Sequence, residues 1–143
     1  MNNSSKKKFL VSACLAGIEC RYDCQAQERI DIVELVKSGE AFPVCPEQLG
    51  GLPTPRDPAE ILPDGKVISN KGVDVTHEYN EGAKKALEEF ISQGASEALL
   101  KSKSPMCGVG KVYDGKFSGK LIDGNGVFTQ LLIKKGVTCT PID

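Results

Sequence analysis

The chain has 143 residues, enough for one domain that buries roughly two thirds of its unfolded surface in a single core without disulfide staples. Its 18 lysines and arginines stand against 19 aspartates and glutamates, a formal charge of -1 that excludes the basic footprint of a protein gripping a phosphate backbone in bulk. The opening "MNNSSKKKFLVSACLAG" has three lysines but only a short apolar run broken by Ser12 and Gly17, so neither a signal peptide nor a membrane span is expected, and the protein reads as cytoplasmic.

Residues 1–7 are expected as a flexible tail, with the whole 1–143 chain a single domain. "KFLVSAC" (8–14) predicts a buried strand, and "RIDIVELVKSGE" (29–40) a helix with Ile32, Leu35 and Val36 on one face and Gly39 as its stop. "AFPVCPE" (41–47) is a second short strand, whose Pro43 argues against a central place because proline donates nothing to the ladder. A proline- and glycine-rich loop, "QLGGLPTPRDPAEILPDG", leads to a hairpin or extended segment in "KVISNKGVDVT". Over 77–93 the residues Tyr79, Ala83, Ala86, Leu87, Phe90 and Ile91 recur at helical spacing, with Thr76 as N-cap and Gly94 past the end. "EALLKSKS" is a third strand, and "KVYDGKFSG" (111–119) a hairpin turning at Asp114-Gly115. Asn125 caps a last helix through "GVFTQLLIKK", Gly136 stops it, and "VTCTPI" is a fourth strand. The alternation predicts an α/β fold, a single three-layer domain with a mostly parallel sheet of about four strands and its site at their carboxyl ends.

The cysteines fall unevenly on this scheme. Of Cys14, Cys20, Cys24, Cys45, Cys107 and Cys139, the first ends strand one, Cys45 ends strand two and Cys107 follows strand three. In open parallel sheets, ligands bind outside those strand ends, so three thiols are expected to converge there. Gly17, Gly50, Gly51, Gly108 and Gly110 allow close backbone approach nearby, and Pro46 and Pro105 stiffen the chain beside Cys45 and Cys107. In a reducing compartment such thiols suggest metal or redox chemistry. Three clients stay open on the residues alone. One is a zinc-stabilised binding module joining Cys14, Cys20 and Cys24 to Cys45 or Cys107; another is an iron-sulfur cluster with one iron left without a protein ligand; the last is a persulfide carrier.

The blocks "VSACLAGIECRYD", "CPEQLGGLPTPRDPAEI", "GVDVT", "LLKSKSPMCG" and "YDGKFSG" occur in this order, and together they resemble the thiouracil desulfidase family from about Phe9 to the last helix. The resemblance implies an oxygen-independent hydrolytic desulfidase. Its [4Fe-4S] cluster would be held by Cys14, Cys45 and Cys107, and its open iron would take the sulfur of a small thiolated base such as 2- or 4-thiouracil. Uracil and hydrosulfide would be the products, and a monomer is expected. Glu47 and Ser104 sit at positions that resemble the family's acid-base and substrate-contacting residues. Glu47 would take the water's proton and later return it, and Ser104 would donate to the ring or place the water.

Other candidates read less sharply. Cys20 lies in a family-like block, but strand placement does not point it at the site; it reads as structural, with a ligand or sulfur acceptor as the alternative. Cys24 stands where glycine is expected and reads as incidental, and Cys139 as a core residue. Arg21 and Arg56 would hold a carbonyl or acidic edge of the substrate, or else pair structurally with Glu60 or Asp57. His77 is expected as an exposed first-turn residue with no part in the chemistry. Lys101 and Lys103 form a solvated edge or attract an anion.

Overall fold

The computed structural model describes residues 7–23, 26 and 28–143. Cys24 and the expected tail, apart from Lys7, lie outside the described residues. In chain order the elements are β1 (Phe9–Ser12), a 3-10 turn (Ala13–Ala16), α1 (Ile30–Lys37), β2 (Ala41–Val44), α2 (Pro46–Leu49), β3 (Ala59–Ile61) and β4 (Val67–Ser69). They continue with α3 (Thr76–Ser92), β5 (Glu97–Lys101), β6 (Lys111–Tyr113), β7 (Leu121–Asp123), α4 (Val127–Lys134) and β8 (Thr138–Ile142).

Four strands form one parallel sheet in the order β2-β1-β5-β8. Successive residues of a strand face opposite sides, and here both sides are apolar. Leu10, Phe42, Val44, Ala98 and Leu100 pack with Tyr79, Ala83, Ala86, Phe90, Phe128 and Leu132 of α3 and α4. Val11 and Ala41 pack on the other face with Ile32 of α1. Helices therefore cover the sheet on both faces, the three layers that the alternation predicts. Strand β2 is an edge, and Pro43, paired with Val11, loses no ladder bond on its open side.

Several local expectations are corrected. Strand β3 lies inside the segment expected as loop and pairs antiparallel with β4. The hairpin of β6 with β7 closes through Asp114 N–H to Lys120 O at 3.0 Å, so Asp114-Gly115 begins a longer loop and is not a two-residue turn. Thr76 does not cap α3; Val75 holds that position, and Thr76 Oγ1 accepts the Val67 N–H at 2.9 Å, tying β4 to the helix. Asn125 does not cap α4 either; Gly126 does, while Asn125 Oδ1 accepts the Gly110 N–H at 2.8 Å. Ile91 points away from the core and is 62% exposed.

One contact fixes how the short α2 sits on the long α3. The two helices touch backbone to backbone: a Cβ on Gly50 would lie 2.0 Å from Glu78 O, and one on Gly82 would lie 2.0 Å from Pro46 O. Only glycine fits at either place.

Candidate active site

The carboxyl ends of β1, β2 and β5 open on a cavity of about 570 Å³. Cys14 reaches it from the 3-10 turn that follows β1, Cys45 from the junction of β2 and α2, and Cys107 from the loop after β5. Glu47 and Ser104 line the same cavity. The five residues singled out from sequence are thus brought together, although Cys14 and Cys45 lie just beyond their strands and not within them.

Each thiol is set by local chemistry. Gly17, at φ 92, ends the 3-10 turn in the left-handed conformation that glycine adopts without strain. Cys45 occupies the N-cap position of α2, with Pro46 in its first turn where the missing N–H costs nothing. The Cys107 loop is tied from two sides. Ser104 Oγ accepts the N–H groups of Met106 and Cys107, both at 3.0 Å. The start of α4 meets the loop's carbonyls: Gly126 N–H donates to Gly108 O at 2.8 Å, Val127 N–H to Pro105 O at 2.9 Å and Phe128 N–H to Met106 O at 2.9 Å. The buried Thr129 hydroxyl donates to Cys107 O at 2.9 Å. Ser104 therefore serves as the turn former, and because its oxygen is occupied as an acceptor, its O–H proton is what it has left to offer a ligand.

The thiols are electrically unequal. Burial pushes Cys14 up to about 11, with Lys101 and Arg21 opposing. Burial likewise raises Cys107 well above the ordinary thiol range, against a hydrogen bond from the Ser12 side chain. Cys45 is drawn down to about 7, chiefly because the Cys20 thiol donates to it, and Cys20 is pushed up by the same bond. Cys20 is thus not remote from the site: it is 3% exposed and lines the cavity, and its carbonyl accepts Cys45 Sγ at 3.8 Å and Arg56 Nη2 at 3.0 Å.

Glu47 is held through both oxygens. Its Oε1 lies 3.2 Å from Arg56 Nη2, and its Oε2 accepts the Tyr79 hydroxyl at 2.9 Å. Arg56 also donates through Nη1 to Pro53 O at 3.2 Å and Thr54 Oγ1 at 3.1 Å, and its buried Nε has no partner among the described residues. The expected pairing of Arg56 with Glu60 or Asp57 is not made. Glu60 Oε1 accepts the Gly115 and Phe117 N–H groups at 2.9 and 3.1 Å, and Asp57 faces Lys71 at 3.4 Å. Arg21 lines the cavity, 3.8 Å from Asp23 and over the Tyr22 ring. Lys101 and Lys103 also line it, Lys101 with its charge disfavoured by burial. His77 is exposed at the start of α3 and does not line the cavity, and Cys139 sits half-buried on β8 at the margin of the core.

Sequence reasoning missed Tyr79 and Ser12. Tyr79 reads as one more apolar position of a helix; Gly82, one turn on, was the signal that a second backbone comes close. Among the described residues no three His, Cys, Asp or Glu side chains crowd together tightly enough for a single metal ion. Cys14, Cys45 and Cys107 line one cavity, a set of soft sulfur donors of the kind that hold iron-sulfur groups.

Residues 9–142 match the family described as 2-thiouracil desulfurase. The chain is 45% identical over 137 residues to the uncharacterized protein YbbK of Bacillus subtilis (strain 168), covering 90% of this chain and 91% of that protein. It is also similar to a solved structure of the [4Fe-4S]-dependent thiouracil desulfidase TudS, with a TM-score of 0.89 and 43% identity over 95% of this chain and 91% of that one.

Proposed function

Because the chain belongs to the 2-thiouracil desulfurase family, we propose that it is a [4Fe-4S]-dependent desulfidase that converts a thiolated pyrimidine such as 2- or 4-thiouracil to uracil and hydrosulfide. The observation that carries this reading is the arrangement of Cys14, Cys45 and Cys107, each from a different strand end, around one cavity that Glu47 and Ser104 also line. The likeness to TudS supports the choice of cluster.

Cys14, Cys45 and Cys107 would hold the cluster. When bound, it supplies a Lewis-acidic iron that stabilises the charge building on the thiocarbonyl sulfur. The chain's own residues do the rest. Glu47 removes a proton from the attacking water, the water oxygen bonds to the thiocarbonyl carbon, and the carbon-sulfur bond breaks. The proton held on Glu47 then goes to the departing sulfide or to the ring. Ser104, its oxygen accepting two backbone N–H groups, turns its O–H toward the substrate. No electrons change hands overall: water enters, hydrosulfide and a proton leave.

We take the chain as one desulfidase domain acting as a monomer in the cytoplasm on a small molecule. No helix among the described residues is long and apolar enough to cross a membrane. The test is anaerobic purification followed by iron and sulfide determination and assay with 2- and 4-thiouracil. About four irons and four sulfides per chain, with hydrosulfide released, is the expected result. A colourless protein with one zinc per chain and no hydrosulfide would overturn the reading.

A further inference from the structure

We propose that Tyr79 and Arg56 are positioning residues of the desulfidation, a two-sided clamp that holds the Glu47 carboxylate in the orientation in which it takes the water's proton. The clamp rests on the desulfidase reading of the site.

A glutamate on a four-residue helix is poorly fixed by its own backbone, since such a helix is too short to be rigid and the side chain has three rotatable bonds. The clamp supplies what the helix lacks. Tyr79 Oη donates to Oε2 at 2.9 Å, and Arg56 Nη2 lies 3.2 Å from Oε1. A hydrogen bond on one oxygen and a guanidinium charge beside the other restrict the carboxylate's rotation and leave a lone pair on each oxygen for a water.

Both clamp residues are themselves fixed from elsewhere. The guanidinium is oriented by three acceptors unrelated to Glu47, namely Pro53 O, Thr54 Oγ1 and Cys20 O, at 3.2, 3.1 and 3.0 Å. The phenol, 3% exposed, sits one turn before Gly82, where α3 touches the Pro46 carbonyl. Pro46 directly precedes Glu47, so the helix contact sets the height of the phenol above the carboxylate. Burial, with the Glu47 charge beside it, also holds the Tyr79 hydroxyl proton well above the usual phenol range, which keeps it a donor.

Stability does not account for this arrangement. With side chains 7% and 17% exposed, Arg56 and Glu47 form a desolvated ion pair, the kind that well-packed apolar residues usually replace without loss. Aiming a carboxylate does account for it, because a reacting group displaced by about 1 Å loses on the order of a hundredfold in rate.

The test uses reconstituted holoenzyme with Tyr79→Phe, Arg56→Met and Arg56→Lys, alone and with Glu47→Gln. Iron content and calorimetric binding of uracil are measured first and are expected to stay within about twofold of wild type. The expected kcat for thiouracil falls about tenfold in Tyr79→Phe and about a hundredfold in Arg56→Met, partly recovered in Arg56→Lys, with KM changed less than about twofold. In the Glu47→Gln background, Tyr79→Phe should cost less than about twofold more. Wild-type kcat in Tyr79→Phe, or an undiminished loss when Glu47 is already gone, would overturn the clamp. If Arg56→Met fails to fold, Tyr79→Phe, which removes only an oxygen, decides alone. Wild-type protein that releases no hydrosulfide would instead overturn the desulfidase reading, a result separate from either.

Discussion

Gly82 of α3 meets the carbonyl oxygen of Pro46 so closely that a Cβ there would lie 2.0 Å from it. Gly82→Ala sets two effects against each other. Alanine favours a helix interior over glycine by about 1 kcal/mol, while overpacking against a backbone atom costs roughly 1–3 kcal/mol or more. A contact this short wins, because no side chain can rotate out of the way. Urea denaturation should show the variant about 1–2 kcal/mol less stable, and its kcat should fall as Tyr79 draws away from Glu47.

Thr129→Val removes the hydroxyl that donates to Cys107 O in a fully buried setting. The loss of that bond, with the carbonyl left short of a partner, should cost about 1–2 kcal/mol. Iron release to a chelator, followed by absorbance, should quicken in this variant more than in one with a surface threonine replaced.

The cysteines should separate by metal content. Serine at Cys14, Cys45 or Cys107 is expected to leave less than about one iron per chain, whereas Cys20→Ser keeps the full complement. The Cys20 side chain favours the charged form of Cys45, and polar contacts to ligand sulfurs tune a cluster's potential. Cys20→Ala should therefore retain iron and show a more negative midpoint potential by EPR-monitored titration.

Stability should depend on pH through Tyr79. Its folded pKa is raised above the unfolded value of 10.0 by burial first and Glu47 second. The folded state then keeps a proton that the unfolded chain gives up. This stabilisation is fully present below pH 10 and lost as pH rises beyond it toward the folded value, at up to about 1.4 kcal/mol per pH unit. Urea midpoints of the loaded protein from pH 9 to 11 check this, and Tyr79→Phe should flatten the decline.

The sheet was legible because its strands carry short apolar runs bounded by turn residues, and the glycines that end the helices stand at the expected places. Gly39, Gly94 and Gly136 take φ of 81, 70 and 79. Convergence of Cys14, Cys45 and Cys107 followed from strand ends alone. Caps were less legible. Thr76 and Asn125 are good capping residues by type, but their side chains accept bonds from Val67 and Gly110, partners that only the folded chain brings near. The same limit hid Cys20 and the partner of Arg56, since each meets α2 or its cap only once loops fold back. Tyr79 was hidden differently: helical periodicity counts a tyrosine as a hydrophobe and says nothing of where its oxygen ends.

The start of α4 borrows its hydrogen-bond acceptors from the loop that carries Cys107, at Pro105, Met106 and Gly108. Helix and loop therefore open together or not at all. Amide hydrogen exchange at Gly126, Val127 and Phe128 thus becomes a gauge of how firmly the Cys107 loop is seated. It can be read in protein that has neither colour nor substrate, and it would register a loosened site before any change in the sheet beneath.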